Sequence, residues 1–389
     1  MMVRYEPWGA WVKLETEAAI VALDRDGVRA LGLDGGATWG ASHFTSAPIE
    51  VHVAVTARCG AGCKGCYLDV QPDGVEPQRE VIERELDAAA AAGVFTVAFG
   101  GGEPTSREDL DLLADSARAR GLSPVVTTSG LGLSEARLER LRHFDQVNVS
   151  YDGESATYAS VRGFDASAAA ERAIDRLSQA GVRVGVNVVL TRKSFPVLER
   201  TLTRARALGA VEGQLLRYKP VGRAATLDYL AARLSPEQAC ALGPTLRRLA
   251  EGPCADGTFH VRIDCALVAF LSADGELAQD PAKLTRFGVF GCEAAGALAA
   301  FTVTGHVAPC SFAPATSLRA TELSAHSSDP ELARWRAHVD APPEPCRSCS
   351  LRPVCKGGCK VVAKFLHGGH GPDPECPRVI ASARSAHEG

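Results

Sequence analysis

The sequence has no stretch of about 18 uninterrupted apolar residues, which excludes a transmembrane helix. It has no basic excess. Its 42 Lys and Arg against 46 Asp and Glu leave a net charge of −4, so nucleic acid is not expected as its main partner. The opening Met1-Met2-Val3-Arg4-Tyr5-Glu6-Pro7 lacks the apolar segment of a secretion signal, which points to the cytoplasm. Low-complexity tracts, linkers and internal repeats are also missing. What is present is a chain of 389 residues, 46% hydrophobic and 23% charged, with material for a real core and for two or three domains. The unusual count is 13 cysteines. In a reducing compartment they point to metal ligation rather than disulfides. They are bunched: three at 59–66, three at 240, 254 and 265, and seven between 292 and 376.

Residues 1–48 stand apart as two short strands, Trp11–Glu15 and Ala19–Leu23, with a short helix around Val28–Leu31 ended by Gly32. From residue 49 a β/α rhythm begins. Its strand candidates are Ile49–Thr56, Val94–Phe99, Pro124–Thr128, Gln146–Ser150, Val182–Leu190 and Glu212–Lys219, with helical patterns between them. Gly121 and Gly181 fit helix ends, and the Val-rich strands suit a parallel sheet covered by helices. The expected architecture is α/β: a partial six-stranded TIM-like barrel over 49–234. A bridging region over 235–283 opens with a capping box, Ser235-Pro236-Glu237-Gln238. Phe259–Phe270 reads as a strand or hairpin. The rest, 284–389, is a small cysteine-rich domain too aperiodic to fold without a staple.

Cys59-Gly60-Ala61-Gly62-Cys63-Lys64-Gly65-Cys66 follows the first barrel strand, at the end of a barrel where active sites sit. Three thiolates at this spacing can wrap one face of an iron–sulfur cube and leave one iron open; a zinc site lacking its fourth ligand is the alternative. The second strand runs into Gly100-Gly101-Gly102-Glu103-Pro104, whose glycines could expose backbone N–H and C=O groups to a ligand or simply form a turn.

Together these two segments resemble the radical S-adenosylmethionine (radical SAM) superfamily. The resemblance implies that Cys59, Cys63 and Cys66 hold a [4Fe–4S] cluster whose open iron is chelated by the methionine half of SAM. It implies further SAM contacts at Gly101, Gly102 and Glu103. Thr127-Thr128-Ser129-Gly130 matches a segment near the SAM ribose, with Ser129 as a donor. Ser150 lies in Val149-Ser150-Tyr151-Asp152-Gly153, and Arg162 matches an arginine that pairs with the SAM carboxylate, which a guanidinium fork suits. For Arg162 the alternative is a surface salt bridge. Asn187 and Val189 would face the methionine or adenine. Many relatives place an aromatic residue before the third cysteine; here that residue is Gly65, and Tyr67 follows instead.

Cys292 is followed by twelve residues and Gly305, then by four residues and Cys310; Cys346-x2-Cys349-x5-Cys355-x3-Cys359 and Cys376 complete the set. Zinc knuckles are the alternative for any one pair. The whole pattern resembles the SPASM domain of radical SAM peptide-modifying enzymes, which implies two auxiliary [4Fe–4S] clusters. Carried over, Cys292, Cys310 and Cys359 hold the first, and Cys346, Cys349, Cys355 and Cys376 the second. Cys240, Cys254 and Cys265 remain. Alternation along the expected strand puts Cys265 on the inward face with Val261 and Ile263, making it the candidate fourth ligand of the first auxiliary cluster; a buried core thiol is the alternative.

Lys219-Pro220-Val221-Gly222-Arg223, Cys355–Cys359 and Gly371–Pro377 are similar to the branch that includes the mycofactocin and pyrroloquinoline-quinone peptide enzymes. The resemblance implies reductive cleavage of SAM to a 5′-deoxyadenosyl radical. It then implies cross-linking, oxidation or oxidative decarboxylation of a ribosomally made precursor peptide. Sulfatase-maturing relatives carry an Asp after the second SPASM cysteine, but here Ser311 stands there, and serine is no general base without its own activator. Arg217, Tyr218 and Lys219 are candidate substrate-facing residues, or solvated strand-end groups. The expected partners are the peptide, a flavodoxin- or ferredoxin-type reductant and a separate leader-recognition protein. Residues 1–48 could receive a leader peptide or act as a lid on the barrel. Rival functions are modification of a small molecule or haem-type intermediate, and a non-catalytic iron–sulfur electron carrier.

Overall fold

The computed structural model describes residues 1–14, 19–37, 39–42, 44–369 and 371–388. Glu15 and the turn after it lie outside the described residues. The chain opens with three antiparallel strands, β1 (Met2–Glu6), β2 (Gly9–Leu14) and β3 (Ala19–Asp24), followed by the expected short helix, Arg25–Ala30. The sequence pattern predicts β2 and β3 but not β1.

A second sheet carries the site. Its parallel centre is β4 (Glu50–Thr56), β5 (Thr96–Gly101), β6 (Ser123–Thr128), β7 (Gln146–Ser150), β8 (Val184–Leu190) and β9 (Glu212–Arg217). Three later strands join it: β10 (His260–Ile263) pairs with β9, β11 (Leu298–Phe301) with β4, and β12 (Val307–Ala308) with β11. The order is β10-β9-β8-β7-β6-β5-β4-β11-β12. One face of each central strand packs under the helices. Val51, Val53 and Val55 of β4, Val97 and Phe99 of β5, and Val184, Val186 and Val188 of β8 share one core with Ile82, Leu86, Ile174 and Leu202. The intervening positions, among them Glu50, His52, Thr127, Asn148 and Asn187, point the other way by strand alternation. Arg262 on β10 acts on the Glu50 carboxyl of β4 from the far end of the parallel run. The sheet therefore curls into an incomplete barrel around a polar interior.

Local signals hold where chain chemistry decides them. Gly121 and Gly181 take the left-handed conformation past their helices, φ 79° and 77°. Both hydrogen bonds of the Ser235–Gln238 capping box form, at 3.2 and 3.0 Å. The expectation for Phe259–Phe270 is corrected. Only His260–Ile263 is a strand, and Cys265–Ala273 is a 3-10 helix capped by the Asp264 side chain. Ala266–Leu271 are buried on all sides, so the run carries no alternation that would separate strand from helix. Cys265 thus opens a helix rather than sharing a strand face with Val261 and Ile263.

The first sheet packs on the amino-terminal end of the barrel. Arg4 donates to the carbonyls of Ala47, Pro48 and Gly93, each at 2.8 Å, and Trp11 packs with Phe95 and Ala297. It closes the end opposite the barrel mouth. Among the described residues no helix is long and apolar enough to cross a membrane.

Candidate functional site

Cys59, Cys63 and Cys66 lie in the loop leaving the carboxyl end of β4, and all three are partly exposed. The loop is held by its backbone: Cys59 N–H donates to Gln71 O at 3.0 Å, and Lys64 N–H to Arg162 O at 2.8 Å. Arg223 grips it from the other side, donating from its backbone to Cys66 O and from Nε to Cys63 O, each at 2.8 Å. Gly222, at φ 58°, makes this approach possible, since a Cβ there would stand 2.5 Å from Cys66 O. Lys219–Arg223 therefore buttresses the third cysteine, a role for Arg223 that its sequence motif alone does not reveal. A Cβ on Gly60 or Gly62 would meet nothing within 4 Å, so open space lies beside the thiols. Burial pushes the Cys59 thiol up, and the charges of Glu103, Cys63 and Cys66 add to it.

The glycines after β5 do something other than present N–H groups. Gly102 N–H donates to Thr56 O at 2.7 Å and Glu103 N–H to Arg58 O at 2.9 Å. A Cβ on Gly101 or Gly102 would lie 2.3 or 2.1 Å from those carbonyls. These residues let the turn press against the start of the cysteine loop. Glu103 then ties two strand ends together, accepting from Thr105 Oγ1 and Thr128 Oγ1 at 2.7 Å and from Ser129 N and Oγ at 2.8 and 2.6 Å. The Ser129 hydroxyl is thus engaged with Glu103.

Arg162 is the partly buried partner of the fully buried Asp152. Its Nε donates to Oδ2 at 2.5 Å, while Asp152 Oδ1, fully buried, accepts from Val189 N–H at 2.7 Å. Burial opposes the Arg162 charge, but Asp152, Tyr158 and Cys63 outweigh it and hold the guanidinium protonated. The two Nη atoms lie free of the Asp152 bond. Asn187 stands opposite Ser150 across β7 and β8, and its Nδ2 is 3.4 Å from Thr127 Oγ1. At Gly65 a Cβ would meet the Tyr218 ring at 2.8 Å. Tyr218, stacked on Tyr229 at 5.9 Å, therefore supplies an aromatic surface beside the residue that lacks one.

The later cysteines form two sets. Burial, then the charges of Asp264, Cys292 and Cys359, push Cys265 well above its usual range. Burial with Cys292 and Cys359 pushes Cys310 up to about 12. Cys292 and Cys359 are thus neighbours of both Cys265 and Cys310. The buried Lys360 ammonium lies 3.5 Å from Cys292 Sγ, and Lys219 favours the Cys265, Cys310 and Cys359 thiolates. Two buried cations beside four thiols fit an anionic centre. Cys346, Cys349, Cys355 and Cys376 line one pocket. Among the described residues no three His, Cys, Asp or Glu converge closely enough to hold a single metal ion, so the sets are looser than a zinc site. Cys254 is half-buried at the core edge, and Cys240 is exposed, unlike a core thiol.

Arg217 and Lys219 are buried, not solvated strand-end groups. Arg217 is buried between Asp373 and Glu375, and Asp373 also accepts Cys359 N–H at 2.9 Å. Lys219 pairs with Asp264 and lies over the Phe312 ring at 4.0 Å. Tyr67, after Cys66, packs on Phe312 at 4.7 Å. Burial pushes Tyr67 up to about 12, with Cys66 and Cys310 both adding. Tyr67 therefore stands between the first cysteine loop and the Cys310 set.

The radical SAM superfamily pattern matches residues 53–195. The PqqA peptide cyclase of Granulibacter bethesdensis is 30% identical over 339 residues, covering 85% of this chain and 87% of that protein. Mycofactocin maturase MftC of Mycolicibacterium smegmatis is 30% identical over 349 residues, covering 85% and 83%. Among solved structures, Streptococcus suis SuiB bound to its precursor peptide SuiA superposes with a TM-score of 0.71 at 17% identity, covering 96% of this chain and 98% of that one. Native anSMEcpe with bound AdoMet and a peptide gives 0.64 at 17% identity, covering 87% and 99%. These two likenesses concern the fold.

Proposed function

The chain is an enzyme of the radical SAM superfamily, related over most of its length to PqqA peptide cyclase and MftC, and on that premise we propose that it oxidatively modifies a ribosomally made precursor peptide. The observation that carries the reading is Tyr67, which lies within electrostatic reach of both Cys66 and Cys310. The nearness of Cys310 to the barrel mouth supports an auxiliary cluster that serves the same substrate.

We assign three [4Fe–4S] clusters: one on Cys59, Cys63 and Cys66; one on Cys292, Cys310 and Cys359 with Cys265 as fourth ligand; and one on Cys346, Cys349, Cys355 and Cys376. The neighbouring charges at Cys265 and the shared pocket of the last set support this grouping. The functional division keeps the barrel at 49–234, a bridge at 235–283 and the auxiliary region at 284–389, with β10–β12 continuing the barrel sheet. When bound at the first cluster, SAM supplies hydrogen-atom abstraction from an unactivated carbon. The chain's own residues position it. Arg162, oriented by Asp152, offers its Nη atoms to a carboxylate. Glu103 fixes the ends of β5 and β6, Asn187 and Val189 line the wall, and Tyr218 offers an aromatic face beside Gly65. Lys219 and Lys360 offset negative charge at the Cys265–Cys359 set. A flavodoxin- or ferredoxin-type reductant, a separate leader-recognition protein and a cytoplasmic setting complete the reading. The closed amino-terminal end of the barrel leaves the β1–β3 sheet available as a docking surface for the leader.

The test is anaerobic incubation of the reconstituted holoenzyme with SAM, dithionite and the short peptides encoded beside its gene. The expected products are 5′-deoxyadenosine and a peptide lighter by two hydrogens, or by carbon dioxide and two hydrogens. If 5′-deoxyadenosine forms while every such peptide keeps its mass, the peptide reading fails and a small-molecule substrate takes its place. If none forms, the enzyme reading itself falls to an electron carrier.

A further inference from the structure

The two later thiol sets stand in opposite electrostatic surroundings. Each has two buried and two partly exposed cysteines, so exposure does not separate them. Their neighbouring charges do. Lys360, which follows Cys359 and opens the helix Lys360–His367, is 1% exposed. Among the described residues its ammonium has one partner, Cys292 Sγ at 3.5 Å, and no carboxylate. Burying an ammonium is costly unless a negative centre lies beside it. Lys219 is buried on the same side, over the ring of Phe312, two residues past Cys310. Burial pushes Cys359 up to about 11, and Arg217 and Lys219 are the first charges to oppose it.

The Cys346, Cys349, Cys355 and Cys376 set meets a carboxylate instead. Asp373 is buried and lines the same pocket. Burial, then Cys376 and Asp373, push Cys355 well above its usual range. Arg217, which pairs with Asp373, reaches toward the other set and donates to Ala266 O at 3.0 Å, next to Cys265. Arg378, the cation that acts on Cys346, is exposed, so solvent and salt screen it. Cys376 Sγ lies 3.2 Å from the Ser272 hydroxyl, a neutral group where Cys292 has an ammonium. A positive neighbour stabilises the more negative, reduced state of a cluster, and a charged hydrogen-bond donor does so more than a neutral one.

We infer that Lys360, with Lys219, makes the centre at Cys265, Cys292, Cys310 and Cys359 the more oxidising of the two auxiliary centres, so that the electron given up by the peptide rests there; the inference rests on the cluster assignment proposed above. Oxidation by two hydrogens breaks one bond by transfer of a hydrogen atom to the SAM-derived acceptor. The second bond loses its proton to water. Of the three electrons left on the peptide, two make the new bond and one passes to this centre. Lys360 is a positioning residue in this account: it touches a thiol of the centre and not the peptide.

The test is a redox titration of the anaerobically reconstituted holoenzyme, followed by EPR, without SAM or peptide. Signals are assigned from variants that each lack one set, Cys292→Ala with Cys310→Ala, or Cys346→Ala with Cys349→Ala. In the wild type the Cys292 centre should be reduced at the higher potential. Lys360→Met should lower its reduction equilibrium about tenfold, 59 mV for one electron, and leave the Cys346 centre where it was. Lys360→Arg keeps the charge and should restore most of the shift. A packing role would be filled by methionine and would not move one potential alone. The reverse order of potentials in the wild type, or an unmoved Cys292 centre in Lys360→Met, overturns the inference. If Lys360→Met takes up no iron, the wild-type order alone decides. Wild-type protein that holds only about four irons refutes the cluster assignment, and this inference with it. A peptide left unmodified in the preceding assay refutes the substrate reading and leaves the two potentials to be judged by themselves.

Discussion

Replacing Arg162 with Ala separates two effects that the structure joins in one side chain. The Nε–Asp152 bond at 2.5 Å uses one edge of the guanidinium and leaves the Nη edge for the SAM carboxylate. A charge-assisted hydrogen bond contributes about 1.5–3 kcal/mol, so losing it should raise the SAM dissociation constant by about 10- to 150-fold. The second effect falls on stability. Asp152 is fully buried and keeps only the Val189 N–H, and breaking a buried pair from one side costs about 3–5 kcal/mol. Arg162→Lys distinguishes the two: a single ammonium can satisfy Asp152 or the ligand but lacks the planar fork to do both. It should therefore recover most of the lost stability and little of the lost affinity. The assay is SAM titration of anaerobically reconstituted protein by equilibrium dialysis, beside denaturant unfolding of the same preparations. A folded Arg162→Ala protein that binds SAM within about twofold of wild type would refute the assignment, since no charge-assisted bond is that weak.

Further outcomes follow from other parts of the molecule. Changing Cys59, Cys63 and Cys66 together to Ala should abolish 5′-deoxyadenosine formation while iron analysis still finds roughly eight of twelve irons, held by the two auxiliary sets. Cys265→Ala should leave iron content near wild type but shift the EPR signal or potential of the auxiliary centre at Cys292, Cys310 and Cys359, because a lost thiolate changes cluster charge; identical spectra would leave Cys265 a core thiol. His326 is fully buried, neither ring nitrogen has a hydrogen-bond partner among the described residues, and burial with Arg336 and Arg4 pushes it down to about 3. The unfolded chain therefore takes up a proton near pH 6.5 that the folded chain refuses. Stability from this group is complete above that pH and falls progressively toward pH 3, by up to about 5 kcal/mol. Urea unfolding should show that His326→Leu flattens the loss between pH 6.5 and 4; an unchanged slope would place the acid sensitivity elsewhere.

Much of the site's location could be read from the residues alone, because it depends on features local in the chain. Short apolar runs, several of them rich in valine, announced β4–β9, and the Ser235 capping box and the stops at Gly121 and Gly181 obey short-range backbone chemistry. The cysteine spacings bring thiols together within single loops, as at Cys59–Cys66. Where every side chain of a run is buried, as in Ala266–Leu271, the pattern lost its period, and a 3-10 helix was indistinguishable from a strand. Tertiary structure alone decided what meets across the fold. Arg217 finds Asp373 156 residues away, and His52 finds Ser311 across 259, because a parallel sheet closes only when distant segments dock, and no local periodicity encodes that docking. The same closure turned the Gly101–Gly102 turn against the start of the cysteine loop and brought Cys265 to the Cys292–Cys359 set. Residue chemistry determined which groups could bind metal or move a proton; the curl of the sheet determined which of them stand next to one another.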